Sequence, residues 1–140
     1  MMSNEELLNI AKEARKNSFA PISNYHVGSA LLTKSGKVYK GCNIEDPSGI
    51  GVTNCCAERT AFIKAISEGE LNFERIAVVG GAKDNLELCT PCGVCRQYMM
   101  NFNPELTIIA EDNNKVVEFK LNELLPNAWY TDVSKIKKED

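Results

Sequence analysis

Residues 53–69 read TNCCAERTAFIKAISEG. Ala61, Phe62, Ala65 and Ile66 recur at the three-and-four spacing of one helical face, and Gly69 supplies the residue that leaves a helix through the left-handed region. The spacing predicts a helix from Cys56 to Glu68. It begins on two adjacent cysteines, Cys55 and Cys56, where free backbone N–H groups and the helix dipole favour thiolates. Only one of two adjacent side chains aims easily at a given point. Glu58 follows in the first turn, where its side chain and that of Cys56 can both reach past the helix end, and Arg59 comes next.

Working outward, Ser3 and Glu6 have capping-box spacing, and Leu7, Leu8, Ile10, Ala11 and Ala14 fall mostly on one face, which predicts a helix from about Asn4 to Lys16. Asn17, Pro21, Ser23 and Asn24 break it. Val27 to Thr33 reads as a strand, Ser35-Gly36 as a tight turn and Lys37 to Glu45 as the partner strand. DPSGIGVTN, residues 46–54, is a loop. Beyond the helix, Arg75 to Gly80 is a short apolar run suited to a strand covered on both faces. AKDNLELCT reads as a loop, and Pro91 suits the first position of a helix running through GVCRQYMMNF. Leu106 to Ala110 and Val116 to Phe119 read as strands about Asn113-Asn114, NELLP as a short helix, and SKIKKED, from Ser134, as a frayed tail. Met99, Met100 and Phe102 are expected in the core, Cys42 as a small buried residue, and His26 as structural or surface. Five strands and four helices make a layered α/β domain with helices on a mixed sheet.

At 140 residues, 44% hydrophobic and 25% charged, the chain has the balance of one domain, residues 1–140, with a genuine core. A net charge of -3 with both signs interspersed offers no basic stripe for nucleic acid. The N-terminal MMSNEELLNIAKEARK has neither the apolar run of a signal peptide nor the length to span a bilayer, so a cytoplasmic location is expected, without a membrane partner. The six cysteines then point to metal or catalysis rather than to disulfides.

Cys92 and Cys95 are spaced C-x2-C on a turn entering a helix, a chelate for one zinc ion. The Cys55/Cys56 pair is the best source of a third sulfur. Three protein ligands leave a tetrahedral site open, as catalytic zinc requires, and Glu58 beside it suits proton transfer from a zinc-activated water. Arg59, one turn into the helix, can turn back toward the sulfurs and offset the net -1 charge of three thiolates on zinc. Asn43 and Glu45 alternate along a strand and share a face, which suits a shared ligand.

The pairing of C-A-E-R (56–59) with P-C-G-V-C-R-Q (91–97) resembles the zinc motifs of the small cytidine deaminases, with a Cys₃ site and a non-ligating glutamate. The likeness extends to YHVGSALLTKSGKVYKGCNIE, AERTAFIKAISEG and ELLPNAW, nearly the whole chain. It implies a three-layer α/β/α fold around a five-stranded mixed sheet, one zinc per chain, and hydrolysis of cytidine and deoxycytidine to the uridine analogues with release of ammonia, in pyrimidine salvage. By the same resemblance Cys56, Cys92 and Cys95 hold zinc, and Glu58 shuttles protons to N3 and to the departing amino group. Asn43 and Glu45 bind the ribose hydroxyl, Tyr25 lies by the pyrimidine ring, Ala57 offers its N–H to the base carbonyl and Thr90 its carbonyl to the amino group. Trp129 reaches a neighbouring subunit's site in a homotetramer. Cys56, directly before Ala57-Glu58, is then the metal sulfur, and Cys55 lies outside the motif.

Between Glu45 and Cys56 the chain departs from the family, with a longer loop lacking the usual tyrosine. That loop bears on substrate range, and a deaminase of a modified or N4-substituted pyrimidine nucleoside, or of an aminonucleoside antibiotic, is the alternative enzyme. Cys89 adds a C-x2-C-x2-C run, so a structural Cys₄ zinc or iron–sulfur module is the non-enzymatic alternative; Pro91 and an otherwise idle Glu58 oppose it.

Overall fold

The computed structural model describes residues 2–136. Helix α1 (Asn4–Arg15) opens with the expected capping box: Ser3 Oγ accepts the Glu6 N–H and Glu6 Oε1 accepts the Ser3 N–H, both at 3.1 Å. Two N–H groups that the first turn leaves without partners are thereby satisfied.

Strands β1 (Tyr25–Thr33) and β2 (Val38–Cys42) form the antiparallel hairpin, with Gly36 at φ +95° in the turn where a side chain would be strained. The second strand stops at Cys42, short of the expected Glu45. Ile44 instead leaves the ladder to make isolated bridges with Phe19 and Cys55.

Strand β3 (Phe73–Ala82) is the centre of the sheet, antiparallel to β1 along one edge. Its other edge is shared. Arg75–Ala77 pair in parallel with β5 (Thr107–Asp112), while Gly80–Ala82 pair antiparallel with β4 (Asn85–Glu87). Strand β4 lies inside the segment expected to be a loop and makes the sheet six-stranded rather than five-stranded. The backbone groups that β3 presents beyond its three-residue pairing with β5 need partners, and the chain folding straight back supplies them. Strand β6 (Lys115–Lys120) completes the order β2-β1-β3-β5-β6, entered through Asn113 and Asn114 at φ 49° and 65°, a left-handed conformation that asparagine tolerates.

Alternate residues of the strands feed two cores, giving the three-layer α/β/α arrangement. Ala30, Leu32, Ala77, Val79 and Ile109 pack with Leu7, Leu8 and Ala11 of α1. Leu31, Ile76, Val78 and Ile108 pack with Ala61, Phe62 and Ala65 of α2 (Ala57–Ser67) and with Cys95, Met99 and Met100 of α3 (Gly93–Met100). Phe62 is the pivot of the second core, its ring 4.5 Å from Phe73, 5.5 Å from Phe102 and 6.0 Å from Tyr98. Burying one such side chain contributes about 1.5–3 kcal/mol, and this cluster sets the spacing between α2 and α3. Cys42 is only half-buried, at the end of its strand.

Two glycines let both helices press onto the hairpin. A Cβ on Gly28 would lie 2.1 Å from the Ala11 carbonyl oxygen of α1, and one on Gly41 would lie 2.2 Å from the Ala57 carbonyl oxygen of α2. Beside them the buried Ser29 hydroxyl donates to that same Ala57 oxygen at 2.8 Å. The first turn of α2 is thus fastened directly to the sheet.

Pro91 is not the first residue of α3. Cys92 is the N-cap, with extended ψ 167°, and Gly93 begins the helix. The proline stands one place earlier, holding the approach extended while the cap residue presents its sulfur at the helix mouth. Helix α4 (Leu121–Leu124) is the short helix read in NELLP. In the expected frayed tail, Ser134 and Lys135 belong to a 3₁₀ turn, Val133–Lys135, capped by Asp132 and tied to α3 by a Val133 N–H to Asn101 carbonyl bond of 3.0 Å. The remainder of that tail, residues 137–140, lies outside the described residues. Among the described residues no helix is long and apolar enough to cross a membrane.

Candidate active site

The mouths of α2 and α3 converge. Cys56 and Cys92 are their N-caps, both extended and neither spending its side chain on a capping bond, and Cys95 lies in the first turn of α3. The three sulfurs lie within 4.8 Å of one another, with Cys56 and Cys92 at 3.6 Å. Sulfurs at about 2.3 Å from a common tetrahedral zinc stand about 3.8 Å apart, so the cluster matches the ion. Its electrostatics point the same way. Hydrogen bonding from Cys95, then from Cys92, holds the Cys56 thiol down to about 5, while the bond to Cys56 and burial push the Cys95 thiol up. One negative charge is welcome in the cluster and further ones oppose it, an opposition that a bound dication removes.

Among the described residues, Cys55 and Cys89 stay outside this group. Cys55 pairs its backbone with Ile44, and its sulfur lies 3.3 Å from Thr60 Oγ1. Cys89 is buried, its thiol pushed up to about 11 by that burial. Among the described residues no fourth sulfur joins to make the Cys₄ site of the non-enzymatic alternative.

Glu58, second residue of α2, is 3% exposed, and burial pushes its carboxyl up to about 7. With Cys56, Ala57 and Cys92 it lines a cleft of about 220 Å³ whose other walls come from Tyr25 and Val27 of β1, from Asn43, and from Cys89 and Thr90 ahead of α3. Burial also pushes the Tyr25 phenol up. A protonatable carboxyl, two sulfurs of the three-cysteine group and an aromatic wall in one small cleft, with the third sulfur buried beside them, suit hydrolysis at a flat ring. Arg59 lies behind the sulfurs: one Nη donates to the Asn54 carbonyl at 3.0 Å, and Nε is buried without a protein acceptor.

The expected Asn43/Glu45 pair is divided. Asn43 lines the cleft but is heavily engaged within the chain, its Oδ1 accepting the Val27 N–H at 2.9 Å and the Ser18 hydroxyl, and its Nδ2 donating to the Tyr25 carbonyl at 2.8 Å. Glu45 stands outside the cleft lining, its Oε1 accepting the Ile22 and Ser23 N–H groups at 2.9 and 3.1 Å, and the hydrogen bonds from Ser23 hold its carboxyl below the usual range. Trp129 is also outside, 82% exposed, with its carbonyl accepting from Gln97 Nε2 at 2.6 Å. His26 faces away, bonded to Ser18 Oγ at 2.9 Å.

Two contributors were not singled out in the sequence: Val27 lines the cleft, and Ser29 pins Ala57, its only trace a hydroxyl within an otherwise apolar strand. Cys89, read there only as a possible fourth metal sulfur, is instead part of the cleft wall.

Comparison with known proteins bears directly on this geometry. The model of the cytidine and deoxycytidylate deaminase zinc-binding region matches residues 1–111. A cytidine deaminase of Halalkalibacterium halodurans is 42% identical over 130 residues, 91% of this chain and 95% of its own length. One of Sporosarcina psychrophila is 39% identical over 130 residues, 91% of this chain and 92% of its own. The crystal structure of cytidine deaminase from Burkholderia pseudomallei superimposes with a TM-score of 0.82 at 38% identity, covering 91% of this chain and all of that one.

Proposed function

The chain belongs to the zinc-binding cytidine and deoxycytidylate deaminase family, and we propose that it hydrolyses cytidine and deoxycytidine to uridine and deoxyuridine, releasing ammonia. The observation that carries this reading is the buried Glu58 carboxyl in one cleft with Cys56 and Cys92, whose sulfurs converge with that of Cys95. These three sulfurs would hold one zinc ion, which when bound supplies a Lewis acid that makes water nucleophilic near neutral pH.

The chain's own groups then move the protons. Water adds at C4 of the pyrimidine while Glu58 takes its proton. Glu58 passes protons to ring N3 and to the amino group, the C4–N4 bond breaks, and ammonia leaves with the C4 oxygen retained in the uridine product. Ala57 donates its N–H to the base carbonyl, Thr90 accepts from the amino group through its carbonyl, and Tyr25 stands against the ring. Arg59, with a free buried Nε, offsets the charge of the thiolates. Asn43 retains one N–H and Glu45 one carboxylate oxygen for the sugar hydroxyl.

The cleft's modest size and the exposure of Trp129 and Val52 support completion of the site by neighbouring copies in a homotetramer. We read the protein as a single-domain cytoplasmic salvage enzyme that engages neither nucleic acid nor a membrane. The test is to incubate zinc-loaded protein with cytidine, deoxycytidine and N4-substituted cytidines, following ammonia or amine release, with Glu58→Gln as control. Release from cytidine that vanishes in the control supports the reading, and no release from any of them overturns it.

A further inference from the structure

We infer that Arg96 is a positioning residue that sets the Thr90 carbonyl against the substrate's amino group, an inference that rests on the reading of the site given above. Arg96 follows Cys95 in α3 and its side chain turns back past the start of its own helix. Nε donates to the Pro91 carbonyl at 2.7 Å, Nη2 to Thr90 Oγ1 at 3.0 Å, and Nη1 to the Leu124 carbonyl at 2.9 Å. Among the described residues no carboxylate pairs with it.

This placement runs against simple electrostatics. A cation is disfavoured near the positive end of a helix, and a half-buried guanidinium ordinarily finds an acid. Arg96 has all its described contacts on neutral acceptors, two of them consecutive residues of the segment that lines the cleft. The third lies in α4, which is itself anchored by the buried Leu121 and its N–H bond to the Leu106 carbonyl. The planar guanidinium therefore holds residues 90 and 91 at a fixed distance from a rigid support. Thr90 has no ladder partner in the sheet, so without this clamp its carbonyl can turn about the flanking bonds. The group that such turning disturbs is the hydrogen bond to an amino substituent, which cytidine has and uridine lacks.

That difference separates positioning from general structural damage. Arg96→Gln is expected to keep one zinc per chain and to lower kcat/KM for cytidine about tenfold, equivalent to about 1.4 kcal/mol, while the inhibition constant of uridine moves less than about twofold. Arg96→Lys, with one donor site in place of the fork, should recover part of the loss. Thr90→Val, which removes one acceptor and leaves the carbonyl, should move the same ratio in the same direction, and it carries the test if Arg96→Gln does not fold. Equal changes for cytidine and uridine, loss of zinc, or no change in kcat/KM overturns the inference. Wild-type protein that turns over no cytidine overturns the underlying reading instead.

Discussion

The two helix mouths that meet at the sulfur cluster are capped alike and supported differently. Each is capped by a cysteine with an extended backbone. At α2 the next two residues, Ala57 and Glu58, are buried, the backbone lies against Gly41, and Ser29 bonds Ala57 from below. At α3 the next two, Gly93 and Val94, are exposed, and the approach is held by the side chain of Arg96. One mouth is fixed by main-chain packing on the sheet, the other by hydrogen bonds from a long side chain. The carboxyl assigned to proton transfer stands on the stiffer of the two, where small misplacement is most costly to rate.

The largest expected effect tests whether the mouths are equal as metal donors. Cys56→Ser and Cys92→Ser should each lose zinc, with activity falling about a thousandfold or more. Stoichiometric zinc retained by either variant breaks the equivalence. Next, Glu58→Gln should retain zinc and lower kcat about 10²–10⁴-fold. Val94→Ala, at the matching place in the exposed turn of α3, should change kcat less than about twofold. Comparable losses would show that chemistry is shared between the mouths. Ser29→Ala removes a support found only under α2, and thermal unfolding should report a loss of about 0.5–1.5 kcal/mol; an unchanged Tm would leave the Gly41 contact as the whole fastening. The smallest effect is expected for Cys55→Ser, with zinc content preserved and activity within about twofold. Zinc loss there would move the metal to the neighbouring sulfur.

Much of this was legible in the sequence because it depends on local rules. The capping box at Ser3 and Glu6, the Gly36 turn, the helical stripe of Ala61, Phe62 and Ala65, and the C-x2-C spacing of Cys92 and Cys95 each reflect interactions within a few residues. What was not legible depends on distant partners. Asn85, Leu86 and Glu87 are all exposed and show no strand pattern; they form β4 because the far end of β3 has an unpaired edge. Glu45 alternates with Asn43 as a strand residue should, yet the strand ends at Cys42 and its carboxylate is recruited by the turn at Ile22 and Ser23. Arg96 reads as an ordinary helical arginine until the fold brings Leu124 within its reach.

The glycine contacts beneath the helices have a consequence for how such a chain can diverge. Every single-residue replacement at Gly28 or Gly41 introduces a carbon about 2 Å from a helix carbonyl oxygen, on opposite sides of adjoining strands. Helix α2 cannot retreat to make room at Gly41, since it would carry Cys56 and Glu58 out of register with α3, and at Gly28 a retreat of α1 would open the core of Leu7, Leu8 and Ala11. These two positions are therefore closed to gradual sequence drift, while the exposed stretch around Ile50 and Val52 remains open to it. Descendants of this protein should vary most along the rim of the cleft and least at two residues that never touch a ligand.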